Sequence, residues 1–214
     1  MIIKPAADGN LLIQDRAGGA VLSTAASGAT IANATITAPT VADMTNCTFP
    51  AGHILQVVCG VERETVSSTT QDWSDISTDL TVTITLSSAS NKVLCLWNAQ
   101  VAQHSGWTPT TRLVRNQPSA TTVVTAGTST NAGSGRDGMA LSPGYTGGGD
   151  ELIGAQSASF LDTPNTTTTI EYKVQWHGRT DASGNNFLNR MKAGSSQNYY
   201  GSGVSSLTLF EVKA

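Results

Sequence analysis

TIEYKVQW, Thr169 to Trp176, alternates without a break. Ile170, Tyr172, Val174 and Trp176 point one way; Glu171, Lys173 and Gln175 point the other. A period of two, with β-branched and aromatic residues on the apolar side, marks a strand with one buried face. TVTITL, Thr81 to Leu86, repeats the pattern with Val82, Ile84 and Leu86 on one side and threonine on the other. KVLCLW, Lys92 to Trp97, is apolar on both sides and predicts a central strand. HILQVVCGV, His53 to Val61, predicts a buried strand that opens a compact domain, and SLTLFEV, Ser206 to Val212, a strand that closes it. Glu151 to Phe160 has strand character, and Arg112 to Arg115 and Thr121 to Val124 are weaker candidates. Residues 126–149 are rich in Gly and Ser and read as a long loop or several turns. Residues 178–203 form a polar segment. Short strands between turn-rich spacers predict an all-β chain: an antiparallel β-sandwich, jelly-roll-like, over residues 48–214.

Residues 1–47 read differently. Leu11 to Ile13 and Ala20 to Leu22 predict two short strands joined across Asp15 to Gly19. Then GATIANATITAPTVADMT, residues 28–45, places Thr30-Ile31, Thr35-Ile36 and Thr40-Val41 five residues apart. Each repeat offers one apolar side chain and a backbone that favours extension, too little for a core of its own. Such a segment is ordered by stacking on its own repeats or on neighbouring chains. Residues 1–47 are therefore expected to be an attachment arm and a repeat β shaft, with Ile31, Ile36 and Val41 at the contacts between chains.

Composition narrows the function classes. Charged residues are 13% of the 214, where soluble domains have roughly 25%. Hydrophobic residues reach 39% and net charge is only -3, so the chain is not of the disordered type. Lys and Arg are scattered, which argues against nucleic acid or anionic membranes as partners. No apolar run approaches the roughly 18 residues that span a bilayer, so no membrane insertion is expected. The N-terminus MIIKPAADGN lacks the apolar stretch and cleavage site of a signal peptide, which predicts a cytosolic protein or one released by lysis. Three cysteines, Cys47, Cys59 and Cys95, match no disulfide framework. Cys59 and Cys95 lie in apolar runs and are expected to be buried.

Chemistry-bearing motifs are scarce. His53, His104 and His177 have no second ligand at metal spacing, and HxH, CxxC and HExxH do not occur; no metal or cofactor is expected. GYTGGG, residues 144–149, lacks the Lys of a phosphate-binding loop. Glu62/Glu64 and Asp72/Asp75 read as solvated loop residues, and no nucleophile motif is present, so the chain is expected not to be an enzyme. Trp97 and Trp176 sit on strands and are expected in the core. Trp73 and Trp107 lie in polar contexts, QDWSD and HSGWTPT, and Tyr199-Tyr200 in QNYYGSG. These four are candidates for contact with a glycan or with another subunit.

GATIANATITAPTVADMT resembles the shaft repeats of bacteriophage fibre proteins. FPAGHILQVV, directly after the repeat, and the closing SSLTLFEV resemble the first and last strands of head domains in marine-phage structural proteins. Together these segments cover about 35 of the 214 residues. The resemblance implies a non-enzymatic homotrimeric virion protein. Its residues 1–27 would bind other virion proteins, and its head would face outward at the virion surface. It also implies synthesis in the host cytoplasm and release by lysis. Phage tail fibres are often far longer, and the HxH metal motif of some fibre tips is missing, so no metal carries over. The expected function is host-surface attachment through a glycan or a protein. The alternatives are a capsid decoration, cement or head-fibre protein and, from a different class, a soluble carbohydrate-binding module. A glycan depolymerase would need a longer catalytic domain.

Overall fold

The computed structural model of the chain describes residues 2–5, 11–14, 20–25, 28–31, 49–103, 109–118, 120–124, 153–178, 185–191 and 202–214. Every regular element among them is a β-strand, and the all-β class is as the alternating segments predict. The chain divides into two units, Met1–Thr48 and Phe49–Ala214.

The first unit holds β1 (Ile2–Pro5), β2 (Leu11–Gln14), β3 (Ala20–Ala25) and β4 (Gly28–Ile31), an antiparallel sheet in chain order. The two strands expected on either side of Asp15 to Gly19 pair with each other, Ile13 opposite Leu22. The first repeat, Thr30-Ile31, ends β4, where Ile31 stands opposite Leu22. Ile36, Val41 and the rest of the repeat lie outside the described residues.

The second unit begins with β5 (Ile54–Glu62), β6 (Val66–Ser68), β7 (Ser74–Asp75), β8 (Thr81–Ile84) and β9 (Lys92–Gln103). It continues with β10 (Thr110–Gln117), β11 (Ala120–Val123), β12 (Gly154–Asp162), β13 (Ile170–His177), β14 (Asn186–Leu188) and β15 (Ser205–Val212). One sheet runs β5-β15-β9-β12. Val101 of β9 pairs with Gly154 on one side and Leu188 on the other, so β14 continues the line of β15, and β6, paired to β14, continues that of β5. The other sheet runs β11-β10-β13, with β8 and β7 sharing the far edge of β13.

The second unit is thus one long hairpin folded over on itself. Its antiparallel pairs nest: β5 with β15, β8 with β13, β9 with β12 and β10 with β11. Eight strand lines in two sheets with this nesting form the double Greek key of a jelly roll. Between the sheets lie Trp97, Cys95, Val93 and Leu209 from one side and Tyr172, Val174, Trp176 and Leu113 from the other, all buried. Trp97 and Trp176 are in the core, as their strand positions predict.

Three sequence expectations need correction. HILQVVCGV is not a buried strand: β5 is an edge strand, paired only to β15 among the described strands. Its inward positions, opposite the inward positions of β15, are Gln56, Val58, Gly60 and Glu62, and its outward ones include Val57, Cys59 and Val61. Cys59 is therefore exposed. An apolar run shows that a strand is apolar on one or both sides but not which side meets the core. Register turns position 60 inward, where only glycine fits: a side chain there would collide with the Asp79 carbonyl and Val82. Finally, Glu62 is buried, accepting hydrogen bonds from Ser77 Oγ and the Glu64 amide, and Asp75 sits in β7.

Candidate functional site

The outer face of the β5-β15-β9-β12 sheet departs from ordinary polarity. Side chains on these strands alternate inward and outward, and residues in register share a face. One outward row crosses all four strands: Val57, Phe210, Leu94 and Leu161. Val57 is 53% exposed and Leu161 48%. Ile54, opposite Val212 in the next row, is 54% exposed, and Leu96, one row the other way along β9, is 38% exposed. Beside the row, Ser157, Ser159, Ser206, Thr208, Leu96 and Asn98 line a shallow depression of about 380 Å³. An apolar ridge thus runs next to a hollow lined with small residues. Soluble monomers expose single apolar side chains routinely, but a contiguous patch marks a contact surface.

The inner face at the same end of these strands is polar. Glu211 of β15 is 1% exposed. Its Oε1 accepts from the Ser87 amide at 2.7 Å, Ser87 Oγ at 2.7 Å and Asn91 Nδ2 at 2.6 Å, and its Oε2 from Gln56 Nε2 at 2.7 Å. Burial pushes the Glu211 pKa up, and the four hydrogen bonds together outweigh it, leaving the carboxyl below its usual range. A folded-state pKa below the unfolded one makes the group stabilising above about pH 4.3, and that stabilisation fades as pH falls through the folded value. Glu211→Gln should therefore be less stable than the parent at pH 7. The gap should narrow as urea titrations are taken from pH 5 toward pH 2; a gap independent of pH would refute the assignment.

At the far end of the same sheet, Asp162 of β12 turns inward and meets the opposite sheet. Arg115 Nη1 donates to both of its oxygens at 2.7 and 2.6 Å, and Tyr172 Oη donates to Oδ2 at 2.7 Å. Burial, then the hydrogen bond to Asp162, push the Tyr172 hydroxyl up from its ordinary pKa. Burial, and next the Asp162 charge, do the same to the neighbouring Cys95 thiol, which is therefore an inert core residue.

The outward side of the other sheet carries a chain of polar contacts. Arg112 Nε and Nη2 donate to Gln175 Oε1 at 2.9 and 2.7 Å. Gln175 Nε2 donates to Asp75 Oδ1 at 2.8 Å, and Lys173 Nζ to Asp75 Oδ2 at 3.1 Å. Lys173 also pairs with Glu171 at 3.2 Å, and Asn116 Nδ2 donates to Glu171 at 2.9 Å. The hydrogen bonds to Asp75 and then Glu171 raise the Lys173 pKa, while partial burial lowers that of Arg112. This series of contacts ends on Trp73: the Arg112 guanidinium lies 4.0 Å from the ring centroid, and the His177 ring packs T-shaped against it with centroids 5.3 Å apart.

Of the aromatic candidates, Trp73 is half-buried at this position. Trp107, Tyr199 and Tyr200 lie outside the described residues. The outward triplet Glu171, Lys173 and Gln175 was legible from alternation alone; Arg112 and Asp75, from separate segments, were not. Among the described residues no group of three or more His, Cys, Asp or Glu could hold a metal ion. No helix among them is long and apolar enough to cross a membrane. No protein-family model matches this chain, and no curated protein is similar to it in sequence.

Proposed function

We propose that the chain is a non-enzymatic structural protein of a bacteriophage virion: a short homotrimeric fibre, anchored by residues 1–27, whose jelly-roll head faces outward for host-surface attachment. The observation that carries the reading is the exposed apolar row on the outer face of the β5-β15-β9-β12 sheet, opposite inward polar groups at the same end of the strands. Glu211, Gln56 and Asp162 are turned inward, while Val57, Phe210, Leu94 and Leu161 are turned outward. A sheet patterned this way leaves its apolar row to be covered by another surface. The ridge and the adjoining small-residue hollow suit a second copy of the same chain, the ridge of one subunit seated in the hollow of the next. A head-to-tail contact forms a ring where its rotation closes, and the count of three comes from the resemblance of residues 28–45 to phage fibre shafts. The repeat at 28–45 supports the same association from the other unit. Jelly rolls recur in viral capsid and lectin domains; that analogy agrees with the reading without assigning it.

Light scattering on the purified chain should give a mass near three times 22.2 kDa, about 67 kDa. Leu161→Asp and Val57→Asp should shift the particle toward single chains while leaving the circular-dichroism spectrum unchanged. A parent protein that runs as a single chain at micromolar concentration would end the trimer reading. Immunogold labelling of intact virions then distinguishes mountings: grains at the tail support attachment, grains over the shell support capsid decoration, and unlabelled virions overturn the virion reading.

A further inference from the structure

The polar face that ends at Trp73 has the makings of a binding site, and we infer that it takes a neutral glycan. The first ground is chemical form. Vicinal hydroxyls of a sugar are recognised by planar side chains that offer two polar atoms at once. Arg112, Gln175, Asp75, Glu171 and Asn116 are all planar at their tips and follow one another across the sheet. Arg112 uses two of its guanidinium nitrogens on Gln175.

The second ground is preorganisation. Each side chain in the series is held by the next through bonds of 2.7–3.2 Å, so little side-chain entropy is left to lose on binding. The strands beneath are rigid: β13 is paired along its length to β10 on one side and to β8 and β7 on the other. The third ground is Trp73. Its indole is fixed by Arg112 over one face and by His177 in a T-shaped contact; the ring is half-buried, and its exposed part is the apolar surface offered to the C–H face of a pyranose. The fourth is charge. Arg112 and Lys173 are balanced by Asp75 and Glu171, so the surface selects for neither anionic nor cationic sugars. The side chains of Asp75 and Glu171 are 43% and 35% exposed, which places them within reach of a ligand.

The site rests on the reading of the chain as an attachment head, and deepens it by naming the ligand class. The test is an oligosaccharide array carrying neutral, sialylated and sulfated glycans, probed with the full chain while light scattering is run on the same sample. Retention on neutral glycans is expected, weakened about tenfold or more by Trp73→Ala and by Gln175→Ala. Asp75→Asn, at an exposed position, keeps the fold and should also weaken retention. Lack of retention on neutral glycans, retention only on sialylated or sulfated ones, or retention untouched by all three substitutions would each overturn the site. A trimer without glycan binding overturns the site and spares the assembly reading; glycan binding by a single chain does the reverse.

Discussion

Asp162→Ala is expected to lower the unfolding free energy by about 3–5 kcal/mol, the usual result of removing one partner from a buried ion pair. The Asp162 side chain is 8% exposed and that of Arg115 13%. Removing the carboxylate leaves a guanidinium and the Tyr172 hydroxyl without their acceptor. Arg115 Nε is already without a partner, so the network has no spare acceptor to offer. A domain of this size has roughly 5–15 kcal/mol in hand, so the loss takes a large share of it. Urea denaturation should show a lower midpoint at unchanged slope. The double substitution Arg115→Leu with Asp162→Leu should recover most of the loss, because it removes both charges together. A double variant as unstable as Asp162→Ala would show that packing, not the stranded charge, sets the cost.

Asn189→Ala ranks next, at about 3 kcal/mol. Asn189 is fully buried and follows β14 with φ of 59°, in the left-handed region. Its Nδ2 donates to the carbonyls of Glu62 and Glu64, both at 2.9 Å, and its Oδ1 accepts from Ser205 Oγ at 2.7 Å. Its amide donates to the Gln100 carbonyl at 2.8 Å, and its carbonyl accepts from the Gly203 amide at 3.0 Å. One residue thus ties the end of β5, the middle of β9 and the approach to β15. Alanine removes three side-chain hydrogen bonds and adds a left-handed penalty of about 1 kcal/mol that asparagine largely escapes. Asn189→Gly loses the same bonds without that penalty, so it should lie about 1 kcal/mol above the alanine variant in thermal or urea unfolding. Equal stabilities would remove the backbone contribution.

Much of the fold was legible from period alone. The inward side of Thr169–Trp176 was read correctly because its two faces differ in polarity. Lys92–Trp97 was placed centrally because both of its sides are apolar, and it lies between β15 and β12. β5 departs from the rule for a physical reason: apolar side chains normally mark the inside, and here Gln56 and Glu62 face inward while Val57 and Val61 face outward. β14 leaves no trace in the sequence, because NFL is three residues long within a polar stretch, too short for any period to register. The candidate site was half visible. Trp73 and the outward residues of β13 stood out, but Arg112 and Asp75 join them only through strand pairing, which no local pattern encodes. Asn189 could not be anticipated, since a buried left-handed asparagine reads as an ordinary loop residue.

The nesting of the hairpin also has a consequence in time. Ile54 finds its partner in Val212, almost at the end of the chain. At roughly 5–20 residues per second, a ribosome needs on the order of ten to thirty seconds to make the intervening segment. Throughout that interval the first strand of the domain, with Val57, Cys59 and Val61 along one side, has no neighbour to pair with. Non-local pairing of this kind is slow even in the finished chain. Of the nested pairs, β5 with β15 is therefore the last to close on a newly made chain, and the apolar side of β5 waits longest for its partner.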